Sequence, residues 1–183
     1  WNEQRLGPWS NLYAGLRYQR AAHPAADCYL MMEDDTWLAR QTKAEIGRRG
    51  LPRDNQWGIV RVFRMSGRGH PWRQSDVFCE SRRTAGYQRV RTGEYLWGTN
   101  AVLFSPLAAD RMLADVIDKS HEDSPDLKIG KLMIRYGFSE WCCNPSLAQT
   151  DTSKPSAVGH GTSPAMMSDT FVEDAAQVAQ MYL

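Results

Sequence analysis

No apolar run in this chain approaches the ~18 residues that a membrane-spanning helix needs, so the sequence predicts no transmembrane segment. Neither sign of charge dominates. There are 22 Lys and Arg against 21 Asp and Glu, a net charge of +1. A dedicated nucleic-acid binder carries a strong basic excess. The balance therefore argues against that class and leaves room only for a local basic groove that could hold phosphates. Cysteine is scarce, with Cys28, Cys79, Cys142 and Cys143 as the whole set. No C-x-x-C spacing supports zinc, and the adjacent pair 142–143 is poorly placed to bond to itself. The reading is of reduced thiols in a cytoplasmic protein. There is no internal repeat and no low-complexity linker. There is also no initiator Met: the chain opens on Trp1, and no charged-then-apolar signal segment follows. That start predicts a fragment, or a chain that has lost upstream residues.

What remains is an ordinary globular composition. The 183 residues are 42% hydrophobic and 23% charged, enough for one domain over 1–183 with a core of its own. Residues 8–22 predict a helix, with Pro8 in its first turn and Leu12 and Leu16 near helical spacing, ended by His23-Pro24. Residues 28–32 are continuously apolar and predict a buried, parallel strand. A surface helix is expected over 38–49, a strand over 57–65, and a hairpin within 76–97 with strands at 77–79 and 87–91. A strand at 100–105, helices at 106–118 and 126–136, and a last strand at 138–143 follow. The segment 161–183 reads as a loop and then a helix near 172–181. Strands interleaved with helices make the class α/β.

The first apolar strand ends abruptly in Glu33-Asp34-Asp35. In open α/β sheets, ligands gather at the carboxyl ends of strands. Three consecutive acids there repel one another and favour a bound cation. Their oxygens suit Mg2+ or Mn2+, with substrate phosphates and waters completing the shell. The same acids would also serve as a solvated turn before the next helix. Further on, Asp126 stands at a helix start as a general base would, with Asp123 and Glu122 as rivals, or else caps that helix. Trp97 and Gly98 offer a floor on which a sugar ring could stack, although a plain buried tryptophan fits equally well. Arg61, Arg64, Arg68, His70 and Arg73 cluster around a Gly-rich loop. They would suit a diphosphate, or a solvated charged face.

Several blocks, taken in order, resemble the GT-A fold, D-x-D-type glycosyltransferases that use nucleotide sugars. Tyr-Leu-Met-Met-Glu-Asp-Asp-Thr-Trp-Leu at 29–38 resembles their hydrophobic strand and acidic motif. Tyr-Leu-Trp-Gly-Thr-Asn-Ala-Val-Leu-Phe-Ser at 95–105 resembles the strand after the acceptor-side loop. Asp-Leu-Lys-Ile-Gly-Lys-Leu-Met at 126–133 resembles the helix whose first carboxylate faces the acceptor. Asn-Pro-Ser-Leu-Ala-Gln at 144–149 resembles the tail of several bacterial-type sugar transferases.

The resemblance implies a mixed sheet flanked by helices, with upstream strands for the nucleotide base missing from this chain. It implies Asp35 as direct metal ligand, Glu33 holding the metal through water or touching the donor ribose, and Asp34 assisting. Asp126 would deprotonate the acceptor in an inverting transfer. Where the family pattern places His after the Gln, this chain has Thr150, and His160 becomes the candidate imidazole ligand. The implied partners are a nucleoside-diphosphate sugar, with a UDP-sugar favoured, and a glycan or polysaccharide acceptor. The implied location is cytoplasmic or peripheral to a membrane, or the Golgi lumen in a eukaryote. A magnesium-dependent phosphoryl-transfer or phosphodiester-cleaving enzyme would use the same acids, and a non-catalytic binding relic remains the third reading.

Overall fold

The computed structural model describes residues 8–63, 85–90, 98–115, 124–151, 168 and 171–174. Helix α1 (Pro8–Ala22) leads into strand β1 (Tyr29–Met32), and a short strand β2 (Thr36–Leu38) precedes helix α2 (Thr42–Arg49). Strands β3 (Trp57–Arg61), β4 (Gly86–Arg89) and β5 (Ala101–Phe104) follow. Helices α3 (Pro106–Ala114) and α4 (Pro125–Tyr136) then lead to β6 (Ser139–Asn144) and β7 (Ala148–Thr150).

Five of these strands form one mixed sheet in the order β1-β5-β3-β6-β4. β3 and β6 are parallel, whereas β5 runs against both β1 and β3, and β4 runs against β6. The carboxyl ends of β1, β3 and β6 therefore share one rim with the amino end of β5. Beyond that rim, β2 and β7 pair antiparallel as a small second sheet.

Side-chain alternation explains why these strands read as continuous apolar runs: both faces of the sheet are covered. On one face Ile59, Val102 and Phe104 pack against Trp9, Leu12 and Leu16 of α1, Met112 of α3 and Ile129, Leu132 and Met133 of α4. On the other, Val60, Ala101, Leu103 and Cys143 pack with Leu147, Ala148 and Val172, and Ile46 of α2 lies against them. Gly58 sits where α4 crosses the sheet. A Cβ there would collide with Met133 Sδ and lie 2.7 Å from Phe138 Cβ. Gly58→Ala is expected to destabilise the fold by about 1–3 kcal/mol, read as a lower thermal midpoint, because the core has no room to accept it.

The structure revises several expectations. The strand expected over 28–32 is antiparallel and lies at the sheet's edge. Tyr29 and Met31 face the helices, and Leu30 packs against the opposite core. Its unbroken apolarity comes from two covered faces, not from parallel neighbours. The helix expected from 38 begins only at Thr42, because Thr36–Leu38 is taken by pairing with β7. Strand β7 itself was not anticipated. Residues 171–174 are not helical, and Asp174 forms an isolated parallel bridge with Arg40. The expected strand at 77–79 and the remainder of the C-terminal helix lie outside the described residues.

Candidate functional site

The acidic triplet emerges from β1 at the shared rim. The Glu33 backbone amide donates to the Asn100 carbonyl at 2.9 Å, which ties the start of the triplet to the segment entering β5. The Asp35 carbonyl accepts from the Asp151 amide at 2.6 Å, which ties its end to the exit of β7. Between these anchors Glu33 and Asp35 are half-buried, whereas Asp34 is exposed. The two outer acids thus belong to the site more than the middle one does.

Glu33 accepts a hydrogen bond from the Thr99 hydroxyl. Its carboxyl is pushed up to about 7, chiefly by burial. Repulsion from Asp126, Asp35 and Asp34 adds to the rise, and the Thr99 hydroxyl works against it. Asp35 Oδ1 is buried with no hydrogen-bond partner, a position that is costly unless something satisfies it.

Asp126 faces this pair from α4. It does not cap the helix, because Ser124 holds that place and its side chain accepts from the Leu127 amide at 3.4 Å. The Asp126 carboxyl is pushed above the usual carboxylate range by burial, while the Arg61 guanidinium, the Gly98 backbone and the Thr99 side chain pull it back. Arg61 Nη1 stands 3.6 Å from Asp126 Oδ1, and that oxygen is buried without a hydrogen-bond partner. Separating cap from carboxylate gives a direct test. Ser124→Ala is expected to cost about 1 kcal/mol of stability, a drop of about 2–4 °C in thermal midpoint, with any turnover retained.

Gly98 has φ of +98°, a region that L side chains rarely adopt. That turn aims its carbonyl at Arg61 Nη1, 2.6 Å away. The Gly98 backbone is therefore committed to Arg61 and Asp126 in this structure. Trp97 and His160, together with Arg64, Arg68, His70 and Arg73, lie outside the described residues, as do Asp123 and Glu122. Arg61 departs from its expected role. Its side chain is 0% exposed and engages Glu140 and Gly98, so it is no phosphate-gripping surface group.

Sequence reasoning missed Thr99, the hydroxyl between the acids, for which Gly98-Thr99-Asn100 carries no distinctive signal. It also missed the Arg61–Glu140 pair. There the signal existed, since Arg61 ends the apolar strand Trp57–Arg61 and Glu140 adjoins Trp141-Cys142-Cys143. Among the described residues, no group of three or more His, Cys, Asp or Glu side chains is arranged to hold a metal ion. No helix among them is long and apolar enough to cross a membrane. Compared with known protein families and with curated proteins, the chain matches none of them.

Proposed function

We propose that this chain carries the metal and acceptor side of a glycosyltransferase that moves a sugar from a nucleoside-diphosphate donor to a hydroxyl of a glycan-type acceptor. The observation that carries this reading is the meeting of Glu33 and Asp35, which follow β1, with Asp126 of α4 at one sheet rim, where Thr99 donates to Glu33. Asp35, with its unsatisfied buried oxygen, and Glu33 are the residues that would hold Mg2+ or Mn2+. Two carboxylates suffice, because such ions usually take one or two protein carboxylates and complete the shell with water and substrate phosphate. The ion supplies charge neutralisation for the departing diphosphate.

Asp126 then has a distinct task. As the acceptor oxygen bonds to the anomeric carbon and the bond to the diphosphate breaks, the acceptor proton passes to the Asp126 carboxylate. Attack opposite the leaving group inverts the anomeric centre. Thr99 holds Glu33 in place through its hydroxyl.

The test is release of nucleoside diphosphate from a panel of UDP-sugars, with and without Mn2+ and a glycan acceptor. Metal-dependent release that rises with acceptor supports the reading, and Asp35→Asn is expected to abolish it while leaving the thermal midpoint within a few degrees. Cleavage of a model phosphodiester without any diphosphate release from sugar donors would replace it with the phosphodiesterase reading. Silence in both assays, with no heat on titrating Mn2+ plus nucleoside diphosphate, would refute both.

A further inference from the structure

We propose that Arg61 and Glu140 are positioning residues for Asp126, forming a buried brace that fixes the orientation of its carboxylate at the sheet rim. The inference rests on the glycosyltransferase reading above. Arg61 projects from β3 with a side chain that is 0% exposed, and Glu140 on neighbouring β6 is 3% exposed. Arg61 Nε donates to Glu140 Oε1 at 2.5 Å. Nη1 donates to the Gly98 carbonyl at 2.6 Å and lies 3.6 Å from Asp126 Oδ1. One guanidinium thus joins two strands, the turn before β5 and the first turn of α4.

Stability alone is a poor account of such a brace. Burying a charged pair costs desolvation that its attraction barely offsets, and apolar residues of similar volume often serve as well. The geometry points to a different use. The 3.6 Å spacing is that of an ion pair longer than an ordinary hydrogen bond, so Arg61 orients the Asp126 carboxylate by attraction between the charges. A close bidentate pair would have tied the carboxylate to the guanidinium and made it a weaker base. Glu140 in turn balances the guanidinium, so that Arg61 does not close fully onto Asp126.

The brace is tested with Arg61→Met/Glu140→Leu, which replaces both buried partners with apolar side chains and is expected to fold. Its kcat should fall about 10–100-fold while KM for the donor stays within about twofold. Introducing the same pair into Asp126→Asn should cost almost nothing further, because both changes act through one carboxylate. Arg61→Lys alone, which keeps the charge, should recover part of kcat.

Full kcat in the double variant, or losses that simply multiply in the Asp126→Asn background, would overturn the proposal. A crystal structure of the double variant reads the brace without turnover. Displacement of the Asp126 carboxylate by about 1 Å or more is expected, and an unmoved carboxylate would overturn the brace even if the protein were inactive. Failure of the wild-type chain to turn over any donor would sink the glycosyltransferase reading alone.

Discussion

For the proposed sugar transfer, Asp126→Asn is expected to lower kcat by about 10²–10⁴-fold, the range a general base supplies, with donor KM nearly unchanged. Asparagine matches aspartate in shape and can still accept from the Gly98 backbone, but its oxygen cannot take up a proton at neutral pH. The fold should tolerate the change because Ser124, not Asp126, caps α4. Removing a carboxylate whose burial is opposed to its charge also relieves strain at the rim rather than adding to it. The measurement is nucleoside diphosphate release under saturating donor, alongside a thermal melt. A variant with full turnover would remove Asp126 from the mechanism. A variant that has lost turnover and unfolded would instead assign it a structural role.

The parts of the fold that were legible in the sequence are those whose local chemistry and tertiary environment agree. Helix α1 is found over the expected residues 8–22, because Pro8 starts it, Pro24 forbids its continuation, and Leu12 and Leu16 face the core. Helix α4 is found with a capping Ser124 at one end and Gly137 in the left-handed conformation at the other. What was not legible depends on partners distant in sequence. Nothing in Thr36–Leu38 announces a strand until Ala148–Thr150 lies beside it. The orientation of β1 is hidden for a similar reason. An apolar run records that both faces are covered, and says nothing about the direction of the neighbour.

The candidate site divides along the same line. Glu33 and Asp35 were legible because acids ending an apolar strand have a short list of uses. Their difference in burial was not, since only the turn geometry makes Asp34 exposed and its neighbours half-buried. Arg61 illustrates the opposite error. Its place among arginines suggested a phosphate grip or a solvated charged face, yet it belongs to the strand Trp57–Arg61, where every residue after Trp57 is buried. A charge inside an apolar strand calls for a buried counter-charge, and Glu140 within Ser139–Asn144 provides one across the parallel pair.

The second large effect concerns pH. The Glu33 carboxyl titrates near 7 when folded, against 4.5 when free. The folded state therefore binds the extra proton, and its stability is fully present below pH 4.5 and is lost as pH rises through 7. The shift corresponds to a loss on the order of 2–3 kcal/mol between pH 5 and 8, or about 5–10 °C in thermal midpoint for a chain of this size. Asp126, also displaced upward, adds in the same direction. Glu33→Gln should flatten most of this slope and raise the midpoint at pH 8, because the amide keeps the Thr99 bond without the charge. A divalent ion should do to the wild type at pH 8 what the proton does at pH 5. Mn2+ is thus expected to raise the midpoint strongly at high pH and little at low pH, and Glu33→Gln should lose most of that response. A wild-type midpoint that does not fall between pH 5 and 8, in metal-free buffer, would mean that Glu33 is ionised without penalty and that its burial leaves no vacancy for a cation to fill.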